Sequence, residues 1–136
     1  NRKVFGDKVK NIDYNWKRLA KDSFAIVWIE SWFVNYYSQD NGAGFGYGAL
    51  HWNHIATLRR YYGWEDSNFN MRASNKLQAK YIIGNLLMMY KYHGCDRRKA
   101  IIAYNEGFLI NNYEYSAYYL AVAGRINQID KWLLDK

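Results

Sequence analysis

Four glycines fall within seven residues, at Gly42, Gly44, Gly46 and Gly48, in a chain of 136 residues that has no proline at all. Glycine gives up more backbone freedom in a helix than any other residue, so this segment cannot favour one. The remainder carries no proline to break helices and is rich in Leu, Ile, Ala, Tyr and Lys, which fits a helical domain better than a turn-rich sandwich. The chain therefore reads as all-α, with one glycine-rich loop and a very small β element near residues 38–48. Its length is that of a single domain, residues 1–136, and is enough to bury a core.

Hydrophobic periodicity places the helices. A first helical region is expected over residues 15–37, with a break near Asp22-Ser23 left open; Leu19, Ile26, Val27 and Trp28 contribute its apolar surface. Helical character resumes over 50–62 and stops at Gly63, a C-cap residue. The longest helix is expected over 72–93, with an apolar stripe of Ala79, Ile82, Ile83, Leu86, Leu87 and Tyr90. Asp96 is placed to cap a short helix running through Ile101 and Ile102 toward Tyr104. A last helical region spans 113–134, with Tyr118, Leu120, Val122, Ile126, Ile129 and Leu133 as its apolar positions. No internal repeat, low-complexity tract or linker interrupts the pattern.

A net charge of +7 favours anionic partners such as acidic lipid, nucleic acid or anionic wall polymer. The basic clusters Lys17-Arg18, Arg59-Arg60 and Arg97-Arg98-Lys99 are scattered and read as solvated surface. In Arg59-Arg60-Tyr61-Tyr62, basic and aromatic groups adjoin in a way that nucleic-acid sites also use; closing a helix against the core is the simpler role. With 14 Tyr and 6 Trp, the chain can supply flat platforms for sugar rings as well as core packing. Cys95 is the single cysteine, so no internal disulfide can form, and it reads as a small structural residue. No signal peptide and no apolar run of bilayer length is recognisable. The chain begins at Asn1 rather than Met, which leaves open that a signal, an anchor or a larger parent has been removed.

Glu30 is the only charged residue between Asp22 and Asp40, within the run Phe24-Ala25-Ile26-Val27-Trp28-Ile29-Glu30-Ser31-Trp32-Phe33-Val34. A carboxylate among such neighbours either has a partner or has its pKa raised by desolvation. A carboxyl still protonated near neutral pH can donate a proton to a poor leaving group.

Four segments resemble, in order and spacing, the lysozyme-like soluble lytic transglycosylases, a family (the SLT domain) related to goose-type lysozyme. Glu30-Ser31-Trp32-Phe33 is similar to the E-S-x-F segment that carries the family's single catalytic glutamate. Gly46-Tyr47-Gly48-Ala49-Leu50-His51 resembles the G-x-G-L-M-Q turn, and Gly42-Ala43 the G-A pair before it, in a loop about three residues longer than the family's. Ala103-Tyr104-Asn105-Glu106-Gly107 is close to A-Y-N-A-G. Glu114, Tyr118, Tyr119 and Val122 follow the spacing of E-T-R-x-Y-V-x-x-V.

The resemblance implies a lysozyme-like fold and cleavage of the β-1,4 bond between N-acetylmuramic acid and N-acetylglucosamine in peptidoglycan, with release of a 1,6-anhydromuramic end. It implies Glu30 as acid and then base, and Tyr118 as a phenol aimed at that carboxyl; a core tyrosine on an amphipathic helix is the alternative for Tyr118. Tyr104 and Asn105 are implied to line the cleft. Gly46 and Gly48 are candidate substrate-binding positions, where the lack of a side chain lets backbone N–H groups approach a ligand; a tight, flexible connector is the alternative. Ser31 either positions the substrate's acetamido group or is simply a small helix residue. His51 stands where the family has Gln, which changes shape and adds a charge that varies near pH 6.5. Ala49 and Glu106 also depart from the pattern, and Glu106 close to Glu30 would disfavour its ionised form. No cofactor or metal is implied. His51 and His54 lack a third ligand at a recognisable spacing. The partners implied are peptidoglycan strands rather than nucleic acid, in the periplasm or outside the cell, with a monomer favoured.

Two readings compete with this one. A lysozyme-type hydrolase would use a second carboxylate, for which Asp40 is the nearest downstream acid. A glycan-binding module would keep the fold without turnover, as the His51 and Ala49 departures allow.

Overall fold

In the computed structural model, residues 5–9, 12–38, 44–111 and 113–134 are described. Among them are six α-helices: α1 (Trp16–Ser31), α2 (Trp52–Tyr62), α3 (Asn68–Ala73), α4 (Asn75–Tyr92), α5 (Arg97–Glu106) and α6 (Ala117–Leu134). A 3-10 turn at Gly6–Val9 precedes them, and two strands of two residues each, β1 (Gly44–Phe45) and β2 (Leu50–His51), pair antiparallel between α1 and α2. The all-α architecture with a small β element is thus the observed one.

Polar side chains at the helix ends explain where most of the elements start. The Asn15 side chain accepts from the backbone N–H groups of Lys17 and Arg18 and opens α1. Asp96 accepts from Lys99 N at 3.0 Å and opens α5, and Gly63 closes α2 at φ 73°, both as the sequence predicts. Three boundaries differ from expectation. α1 ends at Ser31 rather than near residue 37, because Trp32 and Phe33 turn left-handed (φ 52° and 63°) and fold Phe33 back onto Phe24 and Trp28. The expected helix over 72–93 is two helices. Ser74 adopts an extended conformation and its hydroxyl accepts from Leu77 N, so it ends α3 and caps α4. α6 starts at Ala117, not residue 113, where the Ser116 hydroxyl accepts from Tyr119 N.

α4 is the centre of the molecule. Tyr81, Ile82, Gly84, Asn85 and every residue from Leu86 to Tyr90 are buried, so in this part the helix is enclosed on all sides rather than along one stripe. Ala79, assigned to the stripe, is exposed, and Ile83 is half-buried. In the same core lie Leu19, Ala25 and Ile26 of α1, Ile55 and Leu58 of α2, Ala100, Ile101 and Ala103 of α5, and Val122 and Ile129 of α6, which packs mainly on α1 and α5. Leu120 and Leu133, expected on the apolar face of α6, are exposed. The Arg59-Arg60-Tyr61-Tyr62 segment ends α2 against this core, with the Tyr62 hydroxyl donating to Gly84 O at 3.0 Å. No helix among the described residues is long and apolar enough to cross a membrane.

No break occurs at Asp22. The helix continues, and the fully buried Asp22 carboxylate is held from outside it. Arg97, at the start of α5, donates from Nη2 to Oδ1 at 2.6 Å and from Nε to Oδ2 at 2.7 Å, and the Tyr14 hydroxyl donates to Oδ2 as well. Burial and the neighbouring carboxylate push the Tyr14 phenol far up, while the hydrogen bonds to Asp22 hold Arg97 firmly protonated. Arg97 is therefore no solvated surface charge, unlike the expectation for its cluster.

Removing one partner of a buried ion pair leaves the other uncompensated. Arg97→Met is expected to cost about 3–5 kcal/mol in urea unfolding. A loss under about 1 kcal/mol would mean that the pair behaves like an exposed bridge.

Candidate active site

Glu30 lies in the last turn of α1 and is half-buried. Beside it is a cavity of about 90 Å³, whose wall is contributed by five elements. α1 supplies Glu30, the hairpin Ala49, Leu50 and His51, α2 His54, α4 Asn85, and α5 Tyr104 and Asn105. Four larger surface grooves, of about 340, 290, 600 and 210 Å³, are lined mainly by apolar side chains and contain no carboxyl among the described residues. The small polar cavity is the one that gathers groups able to carry chemistry.

The hairpin reaches this place through two contacts that only glycine permits. A Cβ on Gly48 would lie 2.5 Å from both the Tyr104 hydroxyl and Ile82 Cγ1, and one on Gly46 (φ 78°) would lie 2.3 Å from Gln78 Oε1. The Tyr104 hydroxyl donates to Gly48 O at 3.0 Å, and Gln78 Oε1 accepts from Tyr47 N at 2.9 Å. Gly46 N donates to Tyr36 O at 2.7 Å, so that N–H serves the fold rather than a ligand. Directly after these anchors Ala49 is held at φ 49°, a left-handed conformation that costs a residue with a side chain about 1–2 kcal/mol.

Two buried phenols stand close to Glu30. Burial, and then the Glu30 charge, raise the Tyr104 pKa well above 10. The same two causes, followed by Tyr104 and a hydrogen bond with Glu30, raise that of Tyr118. Apart from Glu30, the buried Tyr118 hydroxyl has no hydrogen-bond partner among the described residues. Burial and the nearby carboxyl keep the phenol protonated.

The other sequence-derived residues separate into groups. His51 and Asn105 are exposed where they line the cavity, as side chains at its mouth are. Ser31 is buried outside the lining, with its hydroxyl donating to Val27 O at 3.1 Å, which matches the small helix residue. Glu106 is exposed and accepts from Asn111 N at 3.1 Å, so it closes the loop after α5 rather than lining the cavity. Asp40, Gly42 and Ala43 lie outside the described residues. The His51 and His54 rings are 6.3 Å apart, and no group of three or more His, Cys, Asp or Glu gathers among the described residues in a metal-binding arrangement.

Asn85, and His54 as a cavity residue, are absent from the sequence-derived site. The signal for Asn85 was its isolation as the one amide in Ile82-Ile83-Gly84-Asn85-Leu86-Leu87. Its amide nitrogen and oxygen are both buried without a partner among the described residues. Comparison of the chain with protein-family models, with curated proteins and with solved structures finds no match.

Burial, reinforced by His51, lowers the His54 pKa below its ordinary 6.5. The unfolded chain then binds the proton first as pH falls, so the stability associated with neutral His54 is complete above about pH 6.5 and declines on acidification. Unfolding midpoints measured from pH 8 to 5 should fall, and His54→Gln should flatten the fall; an unchanged slope would count against this origin. Gly48→Ala should cost about 1–3 kcal/mol in the same assay, since the hairpin must move off Tyr104 and Ile82.

Proposed function

We propose that this chain is a peptidoglycan lytic transglycosylase, cleaving the β-1,4 bond between N-acetylmuramic acid and N-acetylglucosamine. The observation that carries this reading is the grouping around Glu30. The carboxyl, two high-pKa phenols (Tyr104 and Tyr118), and the His51 and Asn105 side chains come together from four segments far apart in the chain. These are the segments that carry the family resemblance, and among the described residues lining the cavity Glu30 is the sole carboxyl.

The chemistry follows from one carboxyl acting twice. Glu30 gives its proton to the glycosidic oxygen as the bond to the anomeric carbon breaks, and the N-acetylglucosamine side leaves as an alcohol. The substrate's 2-acetamido oxygen attacks the anomeric carbon, forming a cyclic cation that needs no second enzyme carboxylate. Glu30, now ionised, takes the proton of the muramic 6-hydroxyl. That oxygen displaces the acetamido group to give the 1,6-anhydro ring and restores the carboxylic acid. An intramolecular hydroxyl competes with water through its high effective concentration. Tyr118 donates toward the carboxylate during the interval in which it is charged, and its raised pKa keeps the donor proton in place. The +7 net charge favours approach to an anionic wall polymer, so the proposed place of action is the cell envelope.

Incubation with purified sacculi and mass spectrometry of the released fragments tests the proposal, with anhydro ends expected. Reducing ends would instead indicate a hydrolase, and no release by folded protein would leave a binding module. Glu30→Gln should lower cleavage by about 10²–10⁴-fold or more. Tyr118→Phe should lower it about 10- to 100-fold, in line with one hydrogen bond to a charged group, with little change in unfolding midpoint.

A further inference from the structure

We infer that Asn85 reads the substrate's acetamido group, and that the cavity beside Glu30 is built to take that group. The inference rests on the proposed function and names the feature of the sugar that the site selects.

Asn85 is fully buried on the central helix, yet neither its NH₂ nor its carbonyl oxygen has a partner among the described residues. Buried polar groups left in this state destabilise a fold, and side chains at neighbouring buried positions show how readily α4 avoids it. Gln78, also buried on α4, donates to Asn35 Oδ1 at 2.8 Å and accepts from Tyr47 N at 2.9 Å. A leucine at 85 would continue the surrounding Ile82, Ile83, Leu86, Leu87 surface without any such penalty. The amide is instead placed in the wall of the one cavity that holds the carboxyl.

The chemistry of that cavity selects among the groups a sugar offers. The trans acetamido amide points its N–H and C=O in opposite directions, so Asn85 takes one of them, accepting its N–H at Oδ1 or donating from Nδ2 to its C=O. A 2-hydroxyl could make such a bond but carries no methyl to fill the rest of the cavity. The buried Leu50 side chain and Ala49 form an apolar wall suited to the acetamido methyl. A volume of about 90 Å³ holds a group of four heavy atoms. Ser31, whose hydroxyl is engaged with Val27 O, lies outside this wall. Asn85 is thus a specificity-determining contact, close to Glu30 without taking part in proton transfer.

The test compares chitotetraose with cellotetraose, two neutral β-1,4 oligomers that differ in carrying acetamido or hydroxyl at each 2-position. Calorimetric affinities are measured in the Glu30→Gln background, which prevents turnover. The parent should bind chitotetraose at least about tenfold more tightly, and Asn85→Leu should remove about tenfold of that preference, in line with one lost hydrogen bond in a buried site. The unfolding midpoint of Asn85→Leu should be unchanged or higher, because an unpartnered amide has been replaced by an apolar side chain. Asn85→Ala, which enlarges the cavity instead of filling it, should lose the same preference and serves if the leucine variant fails to fold. Preference retained within twofold in the folded variant overturns the inference, as does a parent that binds neither oligomer or both equally. Cleavage of sacculi by the unsubstituted chain reads the proposed function separately. Cleavage with no acetamido preference removes only the role of Asn85, whereas an Asn85-dependent preference without cleavage removes only the catalytic reading.

Discussion

The buried contact between Asp22 of α1 and Arg97 of α5 positions the rest of the site. An ion pair out of water is stable only with good geometry and all its hydrogen-bonding capacity in use, and this one has two guanidinium bonds and a phenol on a single carboxylate. Glu30 follows Asp22 by eight residues, and Tyr104 follows Arg97 by seven, which is about two helical turns in each case. Pinning the two helices at one level therefore brings the carboxyl and the phenol to the same level further along. The pair contributes position more than net stability, since its desolvation offsets much of the attraction.

The second support is α4, which is enclosed by the other helices and carries polar groups with defined partners. Gln78 fastens the hairpin and the Asn35 side chain, while Asp66 accepts from Lys80 at 3.0 Å and from the Tyr81 hydroxyl at 3.2 Å. From α5, Tyr104 fastens the hairpin's other side at Gly48. A two-stranded hairpin of this size has little stability of its own. It stays in place because a glutamine and a tyrosine from two helices hold its backbone. Against this background of satisfied groups, Asn85 differs in kind from its neighbours.

The abundant aromatic residues are divided between core and surface. Phe5, Tyr62, Trp64 and Tyr81 form a continuous set of ring contacts in the interior, with Tyr62 and Trp64 stacked at 4.4 Å. Trp28 stacks on Trp132 at 5.2 Å and lies under the Arg125 guanidinium, joining the end of α1 to that of α6. This packing ties the last turns of α1, next to Glu30, to α6.

Local chemistry was legible in the sequence. The proline-free helical pattern, the glycine turn before α2 and the Gly63 and Asp96 caps depend on residues within a few positions of one another, and all appear in the fold. Glu30, His51, Tyr104 and Asn105 could be grouped in advance only through motif resemblance; their meeting in one cavity belongs to the tertiary structure. The break at Ser74 lay in a stretch whose apolar pattern continues across it, so periodicity concealed it. Arg97 looked like surface charge because its partner is 75 residues away, and Asn85 is a single amide among apolar neighbours with nothing local to mark its role. Sequence by itself determined which segments are helical and where the chain must turn, because backbone preference and capping act over a few residues. Tertiary structure alone decided which polar groups are buried, which of them have partners, and which face the carboxyl, because desolvation and hydrogen bonding depend on neighbours that only folding brings together.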